Sequence, residues 1–180
     1  MVEAFDISEN KARAVILTAG MSPSSFGANL TDSMEFLQAR IENIDTSEME
    51  GKVTMTSIIG AIVDCFESSG RTDVPQVAVL LTDTENIEVE GDVSDEVDPY
   101  REGINFIAVG VGPSVDTSLL DEFADTESFI VTDFEDLRSE ELLMKIADEA
   151  TPGTLDKAFI LKSPKICLKV RLRIEQTHTD

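Results

Sequence analysis

A chain of 180 residues with 42% apolar and 28% charged side chains has the make-up of one soluble globular domain, or of one domain with a short appendage. Fourteen Lys and Arg against 36 Asp and Glu leave a formal charge of −22, which opposes contact with nucleic-acid phosphates and with anionic membrane surfaces. No stretch approaches the apolar length that spans a bilayer, and Met1 to Lys11 hold Glu3, Asp6 and Glu9 without the apolar run of a secretory signal.

The charge is unevenly placed. Residues 151–180 carry six basic and three acidic side chains, so residues 1–150 carry 8 and 33, a net of −25. A shift of that size near Thr151-Pro152-Gly153 marks a boundary between a domain at 1–150 and a basic tail at 151–180, which could open a second β-domain or pack on an edge of the first. The two cysteines, Cys65 and Cys167, form neither a disulfide framework nor a zinc spacing; Cys65 lies in an apolar helical pattern and reads as a buried thiol.

In chain order, Ala14-Val15-Ile16-Leu17 is the first of three runs that read as buried parallel strands, and it predicts a strand over 12–18. Met34, Leu37, Ile41 and Ile44 follow at helical spacing behind an N-cap at Asp32 or Ser33. A second helix near Thr56–Ser68 presents Ile59, Ile62, Val63 and Phe66, with Gly70 as its stop. The runs at 77–82 and 104–110 predict two more strands, and Phe129-Ile130-Val131 a shorter fourth. Leu119, Leu120 and Phe123 mark a short helix, and Phe134, Leu137, Leu142, Leu143, Ile146 and Ala147 a last one. This alternation predicts an α/β, doubly wound, mainly parallel sheet with helices on both faces. In the tail, 158–161 and 166–174 read as strands separated by Pro164.

Glu85, Glu88, Glu90, Asp92, Asp95, Glu96 and Asp98 form an acidic run with no basic residue, beginning at the carboxyl end of the strand that stops near Leu81. In open α/β sheets that edge binds ligands. The run reads either as a surface for a divalent cation or a basic partner, or as a solvated loop. No Ser/His/Asp or Cys/His set and no phosphate-cradling glycine loop can be assembled, and the sole histidine, His178, lies at the extreme C-terminus; nothing supports catalysis. Asn29-Leu30-Thr31 is an N-glycosylation sequon, which matters if the chain is secreted.

The succession Val53-Thr54-Met55-Thr56, then Leu80-Leu81-Thr82-Asp83, then Gly103-Ile104-Asn105-Phe106-Ile107-Ala108-Val109-Gly110-Val111-Gly112 resembles the von Willebrand factor A (vWA) family over roughly residues 5–150. The resemblance implies a vWA (Rossmann-like) fold and a non-catalytic protein-binding module of adhesion or extracellular-matrix type. It also implies an extracellular location and a protein ligand such as collagen or another matrix protein. Its rivals are an intracellular scaffold of the same fold and a truncated fragment without function of its own. The family holds Mg²⁺ or Ca²⁺ at the carboxyl edge, with oxygens from three loops. Thr54 matches its second-loop threonine and Asp83 the aspartate that ends its central strand, while Thr84 stands where the family commonly has glycine. The first loop, Asp-x-Ser-x-Ser, has no counterpart, so Mg²⁺ is expected to bind weakly or not at all. The bland readings are a helix N-cap for Thr54 and a turn cap for Asp83.

The family's first strand, which carries that loop, lies between the strands matched by 12–18 and 77–82. Without it the sheet is expected to be incomplete: the two neighbours close on each other, or the chain is marginal and aggregates through open edges. The tail strand is the poorer filler, because its alternating Lys and Arg would enter a position covered on both faces.

Overall fold

The computed structural model describes residues 13–18, 30–43, 52–68 and 74–150, together with the backbone of 165–171. The elements in order are β1 (Arg13–Thr18), α1 (Met34–Glu42), β2 (Val53–Thr54), α2 (Met55–Ser68), β3 (Gln76–Thr82), β4 (Ile87–Glu88) and α3 (Val93–Val97). After a 3₁₀ turn at Asp98–Tyr100 come β5 (Ile104–Val111), α4 (Thr117–Phe123), β6 (Phe129–Val131), α5 (Glu140–Ala150) and β7 (Lys165–Arg171). Ile44, Gly70, Asn29 and the expected strand at 158–161 lie outside the described residues.

Five strands form the main sheet in the order β1-β7-β3-β5-β6, and β2 pairs with β4 in a small parallel sheet. β3, β5 and β6 are parallel, and β7 runs antiparallel to both β1 and β3, so the other four strands share one direction. Alternate strand residues face opposite layers. Val15, Leu17, Ala78, Leu80, Phe106 and Ala108 meet α2, α3 and α4 on one face. Ala14, Ile16, Val79, Leu81, Ile107 and Val109 meet Leu37 of α1 and Leu142 and Ile146 of α5 on the other. The doubly wound, mainly parallel class expected from the apolar runs is the fold observed.

The middle of the sheet departs from expectation. β1 and β3 do not close on each other; β7 lies between them, paired through six residues with β1 and seven with β3. The charge objection shrinks once the register is known. Lys165 is opposite Thr82, and Arg171 is opposite Gln76 and the half-buried Arg13, all at strand ends. Only Lys169 takes an interior position flanked by fully buried residues, Val15 and Ala78. Pairing with β7 also satisfies backbone groups on β1 and β3 that two open edges would leave unpaired, at about 1–3 kcal/mol each.

Local chemistry accounts for the helix limits. Ser33 caps α1, its Oγ accepting from the Phe36 N–H at 3.2 Å. The expected last helix is two pieces: a 3₁₀ turn at Asp136–Arg138, then α5. Ser139 is extended (ψ 133°) and breaks the run, and its Oγ accepts from the Leu142 N–H at 3.2 Å to start α5. Cys65 is buried in the α2 layer, as its apolar context suggested. Arg101 ties three segments together: it donates to Asp98 at 2.7 Å, to the Glu122 carbonyl at 2.7 Å and to Asp125, whose other oxygen accepts from the Phe106 N–H at 2.6 Å.

Candidate functional site

Of the residues singled out from sequence, Asp83 follows the carboxyl end of β3 in the main sheet, and Thr54 belongs to the small sheet. Thr54 ends β2, with Glu88 of β4 as its register partner. Its Oγ1 accepts from the Ser57 N–H at 3.2 Å and lies 2.6 Å from the Ser57 hydroxyl, so it caps α2. Asp83 follows β3, half-buried, and its Oδ1 accepts from the Glu85 N–H at 3.2 Å. Both side chains are therefore engaged inside their own turns.

Between Asp83 and the acidic run sits a feature that sequence reasoning touched only as a departure from glycine. Thr84 has φ 65°, the left-handed region that a β-branched residue rarely adopts. It is buried and held from three sides: its N–H donates to Thr82 Oγ1 at 2.9 Å, its carbonyl accepts from Ile87 at 3.1 Å, and its Oγ1 accepts from the Asp116 N–H at 2.9 Å. Asp116 in turn caps α4 through the Leu119 N–H. The Thr84 hydroxyl thus joins the loop after β3 to the start of α4. Thr84→Ala keeps the strain and loses the hydrogen bond, which predicts a loss of about 1–3 kcal/mol. Thr84→Gly relieves about 1–2 kcal/mol of left-handed strain while losing the same bond, so thermal melting should place Gly above Ala. An alanine variant that melts at or above the glycine variant would contradict this.

The acidic run is more structured than a solvated loop. Val93 and Val97, fully buried one helical turn apart, anchor α3 in the core, and Asp92 caps it by accepting from the Ser94 N–H at 2.9 Å. Lys52 pairs with Glu88 at 3.0 Å and Arg101 with Asp98 at 2.7 Å, both largely exposed carboxylates. Glu85, Glu90 and Asp95 of the same run are exposed. The signal for α3 was the Val93/Val97 spacing, which the surrounding acids masked.

A hard divalent cation takes six or more oxygen ligands. Thr54 and Asp83 each spend an oxygen on a turn, and among the described residues no group of three or more His, Cys, Asp or Glu converges. The described residues do not fit a resident Mg²⁺ or Ca²⁺. Isothermal titration with millimolar Mg²⁺ is expected to give no tight saturable heat. Tight stoichiometric binding that disappears in Asp83→Ala would prove this wrong.

Comparison with known proteins agrees with the geometry. A family model described as von Willebrand factor type A domain matches residues 1–144. The collagen alpha-4(VI) chain of Mus musculus is 26% identical over 141 residues, which is 77% of this chain and 6% of that one. Proximal thread matrix protein 1 from the mussel byssus superposes with a TM-score of 0.50 at 22% identity, covering 67% of this chain and 30% of that chain, a likeness of fold.

Proposed function

Because this chain belongs to the von Willebrand factor type A family, we propose that it is a non-catalytic protein-binding module of extracellular-matrix type that meets its partner at the carboxyl edge of the sheet. The observation that carries this reading is the exposed acidic run with Glu85, Glu90 and Asp95, which follows β3 and Asp83 in the chain. A surface this acidic, on a body with a net charge of −25, suits a partner with a basic face and repels polyanions. The similarity to a collagen chain supports a matrix setting, with collagen or a neighbouring matrix protein as the partner class. Residues 1–150 carry the binding edge, and the basic segment 151–180 contributes strand β7 to the sheet beneath it. Thr54 and Asp83 shape the edge instead of holding a metal, and Asn29 carries a glycan on the secreted protein.

The test uses the chain secreted from cultured animal cells, in which Asn29→Gln should remove a glycan mass shift. Solid-phase binding to immobilised triple-helical collagen is expected to saturate. Glu85→Lys, Glu90→Lys and Asp95→Lys together should weaken it at least tenfold, and Glu140→Lys on α5 should leave it unchanged. No saturable binding, or an equal loss from the α5 change, counts against the proposal.

A further inference from the structure

β6 is the outer strand of the main sheet beside β5, and among the described residues nothing pairs with its far side. Val131 turns its backbone toward β5, its carbonyl accepting from the Gly112 N–H at 2.9 Å. Backbone groups alternate in direction along a strand, so the N–H and C=O of Ile130 point away from β5. No hydrogen bond reaches either of them among the described residues. The Ser128 N–H donates to Asp121 Oδ1 at 2.9 Å, which sets one limit of the open stretch.

Strand edges that resist pairing carry Lys, Pro or a bulge. This one carries Ile130, apolar and 45% exposed, with the exposed Phe134 four residues on. The surrounding chain is acidic: Asp125, Glu127, Asp133, Glu135 and Asp136 stand between 125 and 136 with no Lys or Arg. Asp125 pairs with Arg101 and Glu135 with Arg138. Glu127 and Asp133 are exposed, lie three residues to either side of Ile130, and have no ion-pair partner among the described residues.

We propose that the open edge of β6 is a strand-addition site for an extended segment of a partner polypeptide that carries Lys or Arg on both sides of an apolar centre. Main-chain pairing at Ile130 supplies the affinity, its side chain the apolar contact, and Glu127 and Asp133 the preference for cations. A second copy of this chain does not suit the edge. Antiparallel pairing centred on Ile130 would set Glu127 directly opposite Asp133 at both ends, between bodies of net charge −22. The site uses none of the residues of the acidic run at 85–98 and is independent of what binds there.

The test titrates the isotope-labelled full chain with a capped synthetic peptide, a Val-Thr-Val centre with two lysines at each end, and follows backbone amides by heteronuclear NMR. Saturable shifts centred on Ile130 are expected, with slower exchange of its amide. Methylating the three central backbone nitrogens of the peptide removes its pairing donors and keeps its charge. That change should weaken binding by about tenfold or more, the loss of one or two main-chain hydrogen bonds. Ile130→Pro removes the outward N–H and spares the ladder to β5, as proline is tolerated on strand edges. It should weaken binding as much, and Glu127→Lys should weaken it by about threefold. If the proline variant fails to melt cooperatively, the methylated peptide on the parent chain decides alone. The proposal is overturned by the absence of saturable shifts at Ile130, or by equal binding of the methylated peptide. Concentration-dependent shifts of β6 in the chain alone would also overturn it, since a second copy would then be the occupant.

Discussion

Leu168→Pro should lower the melting temperature more than any other single change in the tail. Leu168 is the register partner of Ile16 on one side and Val79 on the other, so β7 has no solvent edge at that position. Proline removes the N–H from the ladder, and within sheets it is confined to edges, first residues and bulges. The carbonyl left without a donor lies in a layer closed on both faces, where an unpaired polar group costs about 1–3 kcal/mol. Ring clashes and displacement of the adjoining pairs bring the expected total to about 3 kcal/mol or more. At about 2–4 °C per kcal/mol for a chain of this length, thermal circular dichroism should show a fall of at least ~6 °C. A melt unchanged from the parent would place residues 165–171 outside the sheet.

Gly110→Ala is expected to cost about 2–3 kcal/mol, a large effect for one methyl group. A Cβ at Gly110 would lie 2.5 Å from Val115 Cγ1, 2.8 Å from Leu120 Cδ1 and 2.9 Å from Ile130 Cδ1. All three separations are far inside ordinary carbon contact, near 3.5–4.0 Å. Ile130 is 45% exposed and can swing away, but Leu120 is fully buried, and Val115 has one short branched side chain with little freedom. Overpacking of this kind typically costs 1–3 kcal/mol, and three simultaneous contacts put it at the upper end. Denaturant unfolding measures the loss. Adding Val115→Ala should recover part of it, because the tightest contact is then gone; strict additivity of the two losses would contradict the packing explanation.

Much of the frame was legible because burial on both faces leaves uninterrupted apolar runs. Ala14–Leu17, Val77–Leu81 and Ile104–Val109 became β1, β3 and β5 within a residue or two, and helical spacing marked α1, α2 and α4. The place of β7 was not legible. Its alternation of Lys and Arg with apolar residues argued for a half-exposed strand, and only the register reveals that two of its cations fall at strand ends. Its partner β1 lies some 150 residues away in the chain, and no local pattern encodes a contact of that range. Thr54 and Asp83 were named from the sequence pattern, but their turn hydrogen bonds and the left-handed Thr84 follow from backbone geometry.

The direct test of a sheet completed from the C-terminal side is nuclear Overhauser spectroscopy on isotope-labelled protein. Backbone protons of Leu168 should show cross-strand contacts to both Ile16 and Val79, in antiparallel register. Contacts running straight from β1 to β3, with none to residues 165–171, would contradict it.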